Sequence, residues 1–338
     1  MRFGNNPYKS AQVSHPRNVT VAVLVFIPHL TGYFEQRLDI LKLCIASILK
    51  HTDHPYDLLI LDNGSCSPVI DYLLDLRAQG ALQYLILSQH NLGVLGAYNV
   101  IFSAAPGRYV AYSDDDMLFH PGWLSEQLRI VEAFPKVGMV SGLPTWQNFG
   151  LYTAGTLALA SSDPSIEIQR SKGWPLEWAR EYSDSIGWDL DGFIERCRDI
   201  EVVRLTKNGV SAFATSTHCQ FVVSKAAVAT VLPLDPGGRA VETHRFDEQL
   251  DRAGFIRLST VRPFVQHMGN HLSPQTLERV AESGLGPQFT RGVEAPPAPA
   301  ILRRLLSHPR ARQVLHKVYG KTFYWISISE GRWGERQK

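Results

Sequence analysis

Apolar and polar positions alternate in blocks along the first 142 residues of this 338-residue chain. "VTVAVLVFI" (19–27) is an unbroken, largely β-branched run, the pattern of a strand buried on both faces. Residues 35–50 then carry Leu38, Leu41, Ile45, Ile48 and Leu49 at helical spacing. The cycle repeats with a strand at "DLLIL" (57–61) and a helix over 68–79. It repeats again with a strand at "LQYLIL" (82–87) and a helix from Val94 to Ala105. "RYVAYS" (108–113) is the fourth strand, followed by a helix over 121–134 that Pro121 opens at a first-turn position. "VGMVSG" (137–142) is the fifth strand. Strands alternating with helices predict an α/β fold, a mostly parallel central sheet with helices on both faces.

Past residue 142 the rhythm stops. Residues 145–210 are rich in charge and aromatic rings, including Trp146, Trp174, Trp178, Tyr182 and Trp188. "AFATSTHCQFVVS" (212–224) reads as one or two strands, "FDEQLDRAG" (246–254) as a short helix closed by Gly254, and "FIRLSTVRPFVQHM" (255–268) as strand. The division expected is an irregular arm (1–18), a first half (19–142), a second half of the same domain (143–293), then a proline-rich linker and basic tail (294–338). The formal charge of +2 gives no case for nucleic acid as a partner. Four scattered cysteines, Cys44, Cys66, Cys197 and Cys219, suit reduced thiols and a cytoplasmic protein better than a disulfide framework. The apolar run at 21–27 is too short to span a bilayer. The tail mixes nine Lys and Arg residues between Arg303 and Lys338 with apolar partners such as Leu302, Leu305 and Trp325. It reads either as a helical extension packed on the domain or as a peripheral contact with the inner face of a membrane.

In open parallel sheets ligands bind beyond the carboxyl ends of the strands. Three polar clusters fall there: Asp62-Asn63-Gly64-Ser65, "NLGVLGAYN" (91–99) and Asp114-Asp115-Asp116. Two unit charges about 4 Å apart repel by about 1 kcal/mol in water and about 4 at an effective dielectric of 20. Three adjacent aspartates therefore need compensation. A turn with a helix cap needs only one acid, whereas a divalent ion such as Mg²⁺ or Mn²⁺ takes carboxylate oxygens and shares its shell with diphosphate. Gly93 and Gly96 fit a dinucleotide fingerprint poorly and fit helix packing equally well.

These motifs, with "FIPHL" (26–30), "LDNGSCS" (61–67), "FDEQLDRAGF" (246–255) and "VQHMGN" (265–270), resemble the family 2 glycosyltransferases. The resemblance covers about residues 19–270 and implies a GT-A-type fold with an acceptor-side segment. It also implies a nucleotide-diphosphate sugar donor, a glycan or lipid-linked acceptor, and Mn²⁺ or Mg²⁺. By position, the donor would meet Pro28, Asp62, Asn63, Asn91, Gly93, Asn99, Asp114 and Asp115. The metal would fall to Asp116 and His267, although a core histidine bonded to backbone explains His267 as well. Tyr98 stands where the family often has an arginine for the phosphates. The tryptophan-rich middle either stacks on sugar rings or fills core.

An inverting transfer needs a carboxylate base for the acceptor hydroxyl. Counting back from "RAGF" puts Glu242 and Thr243 at the family's acidic pair, and Thr243 is neutral, so Glu242 is the first choice. Asp247 is the second and Glu248 the third, although acids in a first helical turn are common for the dipole alone. A sugar-phosphate nucleotidyltransferase shares the sheet but needs a glycine-rich basic loop after its first strand, and "PHLTGYF" supplies neither. A scaffold with a dead site would bind the nucleotide sugar without turning it over.

Overall fold

In the computed structural model, residues 12–236 and 243–285 are described, and all lie in one compact unit. The expected linker and basic tail, the first eleven residues of the arm, and Glu242 lie outside the described residues. The first half follows the predicted alternation. It runs β1 (Val19–Val25), α1 (Arg37–His51), β2 (Tyr56–Asp62), α2 (Ser67–Ala78), β3 (Tyr84–Leu87), α3 (Gly93–Ala104) and β4 (Tyr109–Asp114). Then come a short β5 (Met117–Phe119), α4 (Trp123–Ala133) and β6 (Val137–Ser141). The second half holds α5 (Ala154–Ser162), β7 (Ile166–Lys172), α6 (Leu176–Ser185), α7 (Leu190–Cys197), β8 (Glu201–Lys207) and β9 (Val210–Phe213). It closes with β10 (Gln220–Ser224), α8 (Lys225–Ala229), α9 (His244–Arg252), β11 (Ile256–Ser259), β12 (Val265–His267) and α10 (Pro274–Glu282).

Ten strands form one sheet in the order β3-β2-β1-β4-β10-β6-β11-β9-β8-β7. β1 runs parallel to β2 and β4, and β2 to β3, so four carboxyl ends fall on one edge. β10 inserts antiparallel between β4 and β6, and β11 returns parallel to β6. β7, β8 and β9 add an antiparallel flank. Every residue of β1 is buried, as expected of a strand covered on both faces. On one face Tyr98, Phe102, Tyr112, Phe221 and Phe246 pack with ring centroids 4.7–6.5 Å apart. Such pairs contribute about 0.5–1.5 kcal/mol each beyond their burial. They tie α3, β4, β10 and α9 into one core.

Two sequence expectations change and one element is added. Pro121 does not open α4: Gly122 caps that helix in the left-handed region (φ 82°), and the helix begins at Trp123. The three residues after the aspartates, to which no element was assigned, form β5. The single strand expected over 255–268 is two, β11 in the main sheet and β12 paired antiparallel with β5. Among the described residues no helix is long and apolar enough to cross a membrane.

Candidate active site

The aspartate triplet sits where β4 runs into β5. Its compensation is Arg37, the first residue of α1, which is buried against it. Arg37 Nη1 donates to Asp116 Oδ2 at 2.6 Å and to the Gly269 carbonyl at 3.2 Å, and Nη2 donates to Asp115 Oδ1. The Phe26 amide approaches Asp115 Oδ2 at 3.4 Å. Asp114 takes a different partner, the Tyr112 hydroxyl at 2.5 Å. The charges separate accordingly. Burial, with Asp116 beside it, pushes Asp114 up to about 8. Burial also lifts Asp115, to about 6, against the pull of Arg37. Burial would raise Asp116 too, but Arg37 and His267 outweigh it and hold that carboxyl well below the usual range.

The β5–β12 ribbon explains why His267 is there. Its register sets His267 opposite Met117, and the Met268 amide donates to the Asp116 carbonyl at 2.8 Å. His267 Nε2 then lies 3.4 Å from Asp116 Oδ2, while Nδ1 meets Ser185 Oγ at 2.9 Å. A hydrogen bond at Nδ1 is the arrangement that orients an imidazole to offer Nε2 to a metal. Asp116 Oδ1 is buried and has no hydrogen-bond partner. An oxygen and a nitrogen side by side, one of them unpartnered, fit a divalent ion. The structure thus brings together Asp116 and His267, which lie 151 positions apart in sequence.

The other expected donor-site residues are placed with their side chains already engaged. Asp62 is fully buried and accepts from the Gly64 and Ser65 amides at 3.2–3.3 Å, so its carboxylate holds its own turn. Asn63 and Asn91 staple two loops: Asn63 Nδ2 donates to Asn91 Oδ1 at 3.0 Å, and the Gly93 amide reaches the same oxygen at 2.8 Å. Asn99 takes both the amide and the carbonyl of Leu234 at 2.8 Å. Its amide group is occupied by that loop and not free to read a donor. Pro28 is half-buried just beyond β1. Tyr98 belongs to the aromatic core, and its hydroxyl reaches the His218 carbonyl at 3.4 Å.

Asp247, in the first turn of α9, is buried. Burial raises its pKa, partly offset by Arg257 of β11. Arg257 Nη2 stands 3.1 Å from Asp247 Oδ1, close enough for an ion pair but not aligned for a hydrogen bond. Arg257 is itself anchored by the Leu151 and Tyr152 carbonyls at 3.0 and 3.1 Å. His218 Nδ1 lies 3.9 Å from Asp247 Oδ2, and burial, then His244 and Arg257, push His218 down to about 4. His218, His244 and Asp247 offer one ligand atom each within 4.8 Å of one another. Both acids thus have an arginine against them, Arg257 at Asp247 and Arg37 at Asp116.

Sequence reasoning missed Arg37 and Arg257. Both left a signal. Arg37 is in helical register with Leu41, Cys44 and Ile48 on a buried stripe, and Arg257 interrupts an apolar strand. A charge on a buried face predicts a partner.

The acid and the histidine thus gather beyond the strand ends of an α/β sheet, where such sheets bind ligands. Residues 31–174 match the model of glycosyl transferase family 2. An uncharacterized glycosyltransferase of Nostoc sp. is 35% identical over 94 residues, 28% of each chain. One of Rickettsia felis is 27% identical over 137 residues, 38% of this chain and 21% of that one. The chain thus spans about a quarter of the length of these relatives. Among solved structures, a mannosyltransferase from Pyrobaculum calidifontis in complex with GDP-Man and Mn²⁺ is 13% identical with a TM-score of 0.42. It matches over 73% of this chain and 55% of its own. GalNAc-T7 with UDP, GalNAc and Mn²⁺ is 13% identical with a TM-score of 0.46, over 79% and 48%.

Proposed function

We propose that the chain is a metal-dependent, inverting glycosyltransferase that moves a sugar from a nucleoside-diphosphate donor to a glycan or lipid-linked acceptor. The observation that carries this reading is the unpartnered, buried Asp116 Oδ1 beside His267. These two residues would hold Mn²⁺ or Mg²⁺. When bound, the ion supplies Lewis-acid stabilisation of charge on the leaving diphosphate. Asp114 is half-buried at the carboxyl end of β4, in reach of a ribose or sugar hydroxyl presented there. Asp247 is the general base among the described residues. Burial strengthens it as a base, and Arg257 steadies its ionised form. It would take the acceptor hydroxyl's proton as the new bond to the sugar's anomeric carbon forms and the bond to the diphosphate breaks. Such a base works within about 3 Å of the hydroxyl. A lipid-linked acceptor would place the reaction at the cytoplasmic face of a membrane.

The test is release of nucleoside diphosphate from a panel of UDP- and GDP-sugars, with Mn²⁺ and with excess chelator. Release that requires the ion supports the reading, and full release in chelator overturns the metal assignment. Asp247→Asn should lose more than about 100-fold in transfer, the usual scale of general-base catalysis, while donor affinity holds. If Glu242→Gln abolishes transfer and Asp247→Asn does not, Glu242 is the base.

A further inference from the structure

Three side chains gather ligand atoms at the start of α9. His244 and Asp247 stand three positions apart in its first turn, on one face of the helix. His218 comes from the loop between β9 and β10, and its ring meets that of His244 edge-on with centroids 5.6 Å apart. His218 Nδ1 faces Asp247 Oδ2 at 3.9 Å, and one ligand atom from each residue lies within 4.8 Å of the other two. Among the described residues neither imidazole ring makes a hydrogen bond. Asp247 is 2% exposed, and its Oδ1 is buried with no hydrogen-bond partner. A carboxylate so buried is costly unless cations or donors complete its surroundings, and the misaligned Arg257 does that only in part.

The donor set selects the ion. Two imidazoles and one carboxylate suit a borderline ion such as Zn²⁺, whereas Mg²⁺ and Mn²⁺ prefer oxygen. Arg257 and the positive end of α9 both act against a cation, so an ion held by charge alone is disfavoured here. An ion that forms bonds to imidazole nitrogen is less sensitive to that charge. Zinc bonds of about 2.0–2.2 Å set tetrahedral ligands about 3.4 Å apart, so the three atoms must close by up to about 1.4 Å. His244 is exposed, which gives its ring room to turn and the ion a way in from solvent.

We infer that His218, His244 and Asp247 form a second metal site, which takes Zn²⁺ through two imidazoles and one carboxylate and leaves a fourth position open. It shares no ligand with Asp116 and His267. A carboxylate bound to an ion takes no proton from an acceptor, so filling this site stops transfer. That consequence rests on Asp247 as the base of the proposed reaction, whereas the binding rests on the three side chains alone.

Equilibrium dialysis of the full chain against buffered Zn²⁺, with bound metal counted by atomic emission, reads the site without turnover. The wild type should hold two ions per chain, and Asp116→Asn should keep the one at His218, His244 and Asp247. His244→Ala, at an exposed position and checked for folding by circular dichroism, should weaken that ion by more than about 100-fold. A residue behind a ligand costs only about 10–100-fold. His218→Gln should weaken it as much. In transfer assays at constant Mn²⁺ and donor, each protein is compared with its own zinc-free rate. Zn²⁺ should inhibit the wild type, and His244→Ala should need at least about tenfold more of it, as its weaker site requires. If neither His244→Ala nor His218→Gln loses an ion that the wild type holds, the inference is overturned. If both lose it but transfer continues in wild type with the site filled, the site stands and Asp247 is not the base. Zinc held by wild type and lost in both variants, with no donor cleavage in any protein, supports the site and overturns the transferase reading.

Discussion

Arg37 explains how three adjacent aspartates share one strand end. Its guanidinium forks between Asp115 and Asp116, while Tyr112 serves Asp114. Removing one partner of a buried ion pair costs about 3–5 kcal/mol, because the other charge stays buried. Arg37→Met should show that loss in urea unfolding. Mn²⁺ should then raise the variant's midpoint more than the wild type's, since a cation at Asp116 restores positive charge. Equal stabilisation of both proteins would separate Arg37 from the ion site. Asp116→Asn should lose Mn²⁺-dependent donor binding and about 1–3 kcal/mol of stability, the worth of hydrogen bonds to a charged group. An unchanged Mn²⁺ titration would remove Asp116 from the ion site.

At the scale of elements, the site depends on the β5–β12 ribbon and the turn that ends it. Gly269 follows with φ 72°, and a Cβ there would overlap the Ser185 carbonyl oxygen. Its own carbonyl accepts from Arg37, and Ser185 Oγ bonds His267. Gly269→Ala should therefore cost about 1–3 kcal/mol of strain and weaken Mn²⁺ binding together. A variant that loses stability in thermal unfolding but titrates Mn²⁺ normally would uncouple the turn from the site. Much of this element-level architecture was legible. The unbroken apolar runs and helical patterns of residues 19–142 anticipate β1, β2, β4 and α1 to α3, whose residues are buried in runs or stripes, and β3, a half-exposed edge strand, shows only its apolar residues. β5 was not legible, because a three-residue strand is too short to show a period, and β12 was read only as the end of one longer strand.

At the scale of the whole molecule, stability should depend on pH through histidines kept neutral by packing. His120, just past β5, is pushed down to about 4 by burial, with Arg279 of α10 and His51 of α1 adding to it. An unfolded histidine titrates near 6.5. The folded value is the lower one, so the unfolded state binds the proton first. The contribution is fully present above about 6.5 and is lost as pH falls toward 4. His218 adds in the same window. Urea midpoints should drop between pH 6.5 and 4, and His120→Gln should flatten part of that slope. A slope identical in wild type and variant would clear His120.

The order of strands and helices, the acidic strand end and the polar clusters beyond the sheet were all set by local sequence. Each depends on burial period or on residues a few positions apart, and both are written along the chain. The pairing of Asp116 with His267, the arginine between two aspartates and the inward seat of Asp247 were decided only by tertiary structure. Those partners lie 78 to 151 positions apart for Arg37 and His267. The composition around Asp62 and Asn99 suggests ligand contacts, yet their side chains close turns and loops, because a buried polar group takes the nearest backbone partner. Which polar atoms are left over for a ligand depends on how every other one was satisfied, and only the assembled fold determines that.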